Sequence, residues 1–259
     1  MSAAPLIVSI IGGGCDVAVM AAASMLGKRL SAPLITTTAS APEREDCEAS
    51  RERHEREVRE RDAHAATGRS LARLARRHGA RLLVMGASRH TTLDQLLGRE
   101  TTLHVLREAD RPVLVVAPTF RKFLRRIVVA IDFGPAALRA AHEALAFLRP
   151  GGTLVLTHVV TQSEARRTPP AWSRACGCGP AEAFDELVDR LDPPDGVALE
   201  TLVLAGDPAE AVVSHASRTG ADLVATGMSG AGSRQRMYVG GVATSILRRS
   251  PCSVLVTPA

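Results

Sequence analysis

From residue 126 to the end of the chain, apolar and polar positions alternate between two periods. Short β-branched runs at 127–131 and 154–160 predict buried strands, and further runs at 199–204, 223–226 and 253–257 complete a set of five. Between the first two, Ala137, Leu138, Ala141, Leu145 and Leu148 form one helical stripe. Pro135 stands where that helix begins, and Pro150-Gly151-Gly152 ends it. Asp207-Pro208 opens another helix that runs to Thr219, with Asp207 as its N-cap and Gly220 as its stop. A last helix is predicted from Thr244 to Arg249. Strands that alternate with helices in this way predict a parallel, doubly wound α/β sheet. The segment 161–181, with Pro169-Pro170, Trp172 and two cysteines, follows neither period and reads as an insertion or mobile loop.

The same pattern occurs earlier in the chain. PVLVVAP (112–118) returns as SVLVTPA (253–259), and LIVSIIGGG (6–14) parallels RIVVAIDFG (126–134). The spacing from Gly86 to Leu106 equals that from Gly227 to Leu247. The chain therefore divides into two repeats, 1–118 and 124–259, joined by the basic stretch Phe120-Arg121-Lys122-Phe123-Leu124. In the first repeat, residues 43–64 are dense in Glu and Arg, with Glu52/Arg56, Glu55/Arg59 and Glu57/Arg61 at helical i,i+4 spacing. That solvated helix occupies the place of a third strand, so the first repeat is expected to be degenerate and one strand short of five.

Composition narrows the function classes. The chain has 259 residues, 46% hydrophobic and 23% charged, the balance of a soluble globular protein. Aromatic residues are only 3%, which argues against a base-stacking nucleic-acid surface. The net charge of +5 rests on Arg, with Lys only at Lys28 and Lys122, and reads as a solvated surface without a polyanion footprint. The N-terminus lacks a signal-peptide pattern and no apolar stretch is long enough for a bilayer, so a cytoplasmic protein without membrane contact is expected. The five scattered cysteines suit a reducing compartment. Cys176-Gly177-Cys178 lacks the spacing of a zinc site, and no metal cluster is expected.

The candidate chemistry lies in GMSGAGSRQRMYVGGVATSIL (227–247). Gly227 and Gly230 are separated by two residues, and nine more precede Gly240. Glycines at a strand end and again at a helix start let the backbone approach an anion, with free N–H groups pointing at phosphate oxygens. Asp132 ends the first strand of the same repeat, where an acid can hold a ribose or simply cap the next helix. The equivalent loop of the first repeat, GASRHTTLDQLLGRETT (86–102), keeps Gly86 but has Arg89 for the second glycine and Gly98 one residue early. Aligning the repeat starts puts Gly12 in the place of Asp132, so this half is not expected to bind nucleotide. Gly12-Gly13-Gly14 lacks the third glycine and the distant acid of a dinucleotide fingerprint. His158 either lines a pocket or is a packed core histidine. Arg234 and Arg236 either screen phosphate or are solvated.

IVVAIDFGPAALRAAHEAL, GDPAEAVVSHASRTGADLVATGMSG and GGVATSILRRSPCSVLVTP resemble the conserved blocks of universal stress proteins. The resemblance covers the second repeat and both ends of the first. It implies a Rossmann-like sheet of the adenine nucleotide α-hydrolase type. It also implies a stress-response regulator or adaptor that binds ATP, ADP or AMP in the second repeat, with Mg²⁺ or Mn²⁺ accompanying ATP. By the same resemblance Asp132 would hold the ribose, the backbone at Ile131 and Val159 the adenine, and Gly227, Gly230, Gly240, Gly241 and Val242 the phosphates. One departure stands out: Gly241 replaces the Ser or Thr of the ATP-binding pattern, removing a hydroxyl worth about 1.5–3 kcal/mol against a charged oxygen. A protein-interaction module without nucleotide, and a slow ATP hydrolase, are the competing readings. No nucleophile–base pair stands out, so no catalytic residue is assigned. The resemblance further implies an internal pseudo-dimer with Val113–Val116 antiparallel to residues 254–257, and leaves open a homodimer of whole chains and the identity of a protein partner.

Overall fold

The computed structural model describes residues 4–10, 15–38, 66–87, 94–120, 123–161, 179–228 and 241–258, with only the backbone considered for 94–100. The chain divides into two compact units, Met1–Pro118 and Thr119–Ala259. Among the described residues no helix is long and apolar enough to cross a membrane.

Unit 1 contains β1 (Leu6–Ile10), α1 (Asp16–Arg29), β2 (Leu34–Thr38), α2 (66–77), β3 (Leu82–Gly86), α3 (Asp94–Glu108) and β4 (Val113–Val116). The strand order is β2-β1-β3-β4 and every pairing is parallel. The expected charged helix at 43–64 lies outside the described residues, which hold four strands in this unit. β3 and β4 are buried along their whole length, as their unbroken Leu/Val runs require.

Unit 2 contains β5 (Arg126–Ile131), α4 (Pro135–Phe147), β6 (Thr153–Val160), α5 (Pro180–Asp189), β7 (Ala198–Ala205), α6 (Pro208–Thr219), β8 (Leu223–Gly227), α7 (Gly241–Arg249) and β9 (Ser253–Thr257). Five parallel strands run in the order β9-β8-β5-β6-β7. The sheet is the doubly wound α/β architecture expected from the alternation. Pro135 stands at the first helical position of α4, whose Ala136, Ala137, Ala140, Ala141 and Ala144 are buried. Asp207 caps α6 by accepting the Glu210 N–H at 2.9 Å, and Gly220 ends it with a left-handed φ of 62°. The last helix begins three residues before Thr244, at Gly241. Pro180 already belongs to α5, a helix that the reading of 161–181 as an insertion did not anticipate. Residues 162–178, including Trp172, Cys176 and Cys178, lie outside the described residues.

Strand register corrects the alignment of the two repeats. Leu6 sits opposite Leu82, whereas Ile127 sits opposite Leu223. With Gly86 and Gly227 ending equivalent strands, Leu6 corresponds to Ile127. This one-residue shift moves the sequence alignment, so that Ile11 aligns with Asp132 in place of Gly12, although residues 11–14 lie outside the described residues. Either residue lacks a carboxylate.

The same glycine closes both units. A Cβ at Gly227 would fall 2.5 Å from the Ala136 carbonyl carbon and 2.7 Å from the Ala137 nitrogen, so β8 touches the backbone of the first turn of α4. A Cβ at Gly86 would meet Cys15 Cβ at 3.0 Å and Val19 Cγ2 at 3.3 Å, the corresponding place at the start of α1. Packing therefore accounts for Gly86 in unit 1. Gly227→Ala must push a helix backbone aside and should cost about 1–3 kcal/mol. Gly86→Ala meets only side chains and should cost less. Urea unfolding of the two variants measures both; a Gly227→Ala chain as stable as the parent would contradict the close approach.

Candidate functional site

The order β9-β8-β5-β6-β7 places the reversal of winding between β5 and β8. From β5 the chain proceeds through α4 and α5 toward β7; it then returns through α6 and α7 toward β9. Right-handed crossovers in opposite directions set the two helix pairs on opposite faces, and their loops diverge at the C-terminal ends of β5 and β8. The crevice of a doubly wound sheet lies there. Asp132 follows β5 at this point and Gly227 closes β8.

Alternation along the strands sorts the flanking residues by face. Ala130 pairs in register with Thr157 and with Thr226, so these three share a face. Val159, two residues beyond Thr157, lies on that face too. Ile131, His158 and Gly227 belong to the other, the side on which α4 packs. Asp132 follows the last strand residue, in the turn between β5 and α4.

Asp132 is exposed, and its Oδ1 accepts the Gly134 N–H at 2.9 Å. It therefore makes a local turn and does not cap α4, whose N-cap is Gly134 without a side-chain cap bond. The last β5–β6 pair is Ile131 opposite His158, and β6 continues to Val160, so its backbone at Val159 overhangs the end of β5. Gly241 and Val242 form the exposed first turn of α7. No described atom lies within 4 Å of a Cβ built on Gly241. Four predicted positions, Ile131, Asp132, Val159 and Gly227, thus gather at the C-terminal ends of β5, β6 and β8, and Gly241 and Val242 open the helix that follows β8. Gly230, Gly240, Arg234 and Arg236 lie outside the described residues. The close approach of Gly227 to α4 accounts for that glycine without an anion.

His158 is a packed histidine, only 4% exposed, and its Nδ1–H donates to the Ile131 carbonyl at 2.8 Å. Its ring lies 4.8 Å from Phe133, which in turn lies 5.0 Å edge-on from Phe184 of α5. Neither phenylalanine is identifiable from sequence, since nothing in the local pattern joins residues 133 and 184. Thr257 Oγ1 donates to the Ala136 carbonyl at 3.0 Å, fixing the start of α4 from β9 as well.

The other end of the sheet has a different character. Asp222 Oδ2 accepts the Arg125 and Arg126 N–H groups at 2.7 and 3.0 Å, and Arg126 pairs with Glu200 at 3.0 Å. Burial, with Arg218 and Arg126 nearby, holds His215 below the usual histidine range. Burial also pushes the Cys252 thiol up, making it a poor nucleophile. In unit 1 the connection between β3 and α3 spans 87–93, against 228–240 between β8 and α7. Gly98 falls inside α3, where it cannot serve as a loop glycine.

The universal stress protein family profile matches residues 15–117 and 124–258. A universal stress protein of Methanocaldococcus jannaschii is 28% identical over 137 residues, covering 51% of this chain and 81% of its own. A solved universal stress protein from Archaeoglobus fulgidus aligns with a TM-score of 0.63 at 19% identity, over 99% of this chain and 97% of its own. A functionally unknown protein from Pseudomonas aeruginosa aligns with a TM-score of 0.62 at 16% identity, over 98% and 92%. At such identities the structural likeness speaks for the fold. The profile match, spanning most of both units, decides membership: the chain belongs to the universal stress protein family and carries its domain twice.

Proposed function

We propose that unit 2 binds an adenine nucleotide, ATP or its di- or monophosphate, at the C-terminal ends of β5 and β8. Occupancy would then set the conformation of the 229–239 loop that the chain offers to a protein partner. The observation that carries this reading is the exposed Asp132 carboxylate at the point where winding reverses, at the same end of the sheet as the first turn of α7. In this reading Asp132 accepts from the ribose hydroxyls and the overhanging backbone at Val159 meets the adenine. The Gly241 and Val242 N–H groups, left unpaired within a helix's first turn, face the phosphates together with Gly230 and Gly240. A bound Mg²⁺ or Mn²⁺ would neutralise phosphate charge. Unit 1 is a scaffold in this account, because Ile11 stands for Asp132 and its β3–α3 connection is short.

The replacement of Ser or Thr by Gly241 favours one second reading, an interaction module that works without nucleotide. Calorimetric titration separates the two. We expect one site per chain for ATP, ADP or AMP, abolished by Gly230→Val, which crowds the phosphate path, and unaffected by Gly86→Val once that variant is shown to be folded. Two sites, or none, would contradict the assignment.

The open surroundings of Gly241 make it the cleaner probe of the phosphate end, since any change at Gly227 also disturbs α4. Gly241→Ser restores a hydroxyl where a side chain has room. Affinity for ATP should tighten about tenfold or more, as expected for a hydrogen bond to a charged oxygen. Unchanged or weaker binding would mean that the phosphates do not pass the first turn of α7.

A further inference from the structure

We propose that Phe133, His158 and Phe184 act as an aromatic clamp that positions the Asp132 carboxylate by fixing the residues on either side of it. The part of this inference that concerns the ribose rests on the nucleotide reading above. Asp132 is held between two fixed neighbours. On one side, the Ile131 carbonyl accepts the Nδ1–H of buried His158 at 2.8 Å. On the other, Phe133 takes a φ of +57°, a left-handed conformation that a bulky L-residue rarely adopts. Among the described residues Ser31 is the only other non-glycine with positive φ. The turn itself gives no reason for a phenylalanine at this conformation, where glycine or asparagine is the common choice. Tertiary contact supplies one. The Phe133 ring packs on the same His158, at 4.8 Å, and against Phe184, at 5.0 Å.

One imidazole thus anchors the backbone just before Asp132 and the side chain just after it. Phe184, itself 3% exposed on α5, backs the assembly from a separate element. Between these anchored neighbours the carboxylate's Oδ1 closes the turn on the Gly134 N–H at 2.9 Å. A Cβ at Gly134 would come within 3.0 Å of that oxygen, so the turn has little slack. The three rings are positioning residues and need not touch ligand.

The test uses the full chain with His158→Gln and Phe184→Leu, each alone and each combined with Asp132→Asn. Amide exchange of the nucleotide-free protein is followed by NMR at Gly134 and, as a control for global stability, at Ala225 in the middle of β8. The clamp predicts that both single variants speed Gly134 exchange about tenfold or more while Ala225 is unchanged. It also predicts that both weaken ATP binding about five- to tenfold, and that this loss vanishes in the Asp132→Asn background, because the rings act through that carboxylate. Unchanged Gly134 exchange would overturn the clamp. Affinity losses that persist without the Asp132 carboxylate would overturn its positioning role. Should the parent chain bind none of ATP, ADP and AMP, the functional reading falls and the ribose role with it, while the exchange arm still decides whether the rings hold the turn.

Discussion

The close approach of β8 to the first turn of α4 is the contact on which the organisation of unit 2 depends. With no side chain at Gly227, the strand end meets the Ala136 and Ala137 backbone directly. Thr257 of β9 adds a hydrogen bond to the same turn. α4 therefore starts at a fixed height on the sheet, and the three residues that link it to β5 have little freedom. Asp132 is the first of these. The position of the carboxylate thus follows from a packing constraint at the end of the neighbouring strand, β8.

The two units show which part of this arrangement is architectural and which is chemical. Both keep a glycine against the first helix, at Gly86 and Gly227, where a side chain would press on the helix start, on its backbone in unit 2 and on side chains in unit 1. Only unit 2 keeps an acid after the first strand and a long connection before its last helix. The sequence difference after the first strand and the different lengths of the last connection lie over parallel strands that both units share.

Much of this was legible in the sequence because buried strands are written in β-branched runs, and helix ends in Pro135, Asp207 and Gly220. The duplication was legible for the same reason, since both copies repeat the runs. Besides the start of α5, three features were not. The one-residue register of β1 was hidden because Ile10-Ile11 followed by three glycines offers no polar landmark. The start of α7 was placed late because Gly240-Gly241 reads as loop, although an exposed glycine can occupy a first helical turn. The ring cluster was invisible because a phenylalanine carries no signal for a left-handed backbone; its contacts with His158 and Phe184 supply that conformation's support. Gly227 is the reverse case: its spacing pointed to phosphate, whereas its surroundings explain it by packing.

The central claim is that nucleotide chemistry resides at the reversal of winding in unit 2 and nowhere in unit 1. A crystal structure of the full chain grown with ATP tests it most directly. The account predicts a single nucleotide per chain, its ribose within hydrogen-bond distance of Asp132 and its phosphates at the first turn of α7. A nucleotide seated at the ends of β1 and β3, or one in unit 2 whose ribose lies away from Asp132, would contradict it.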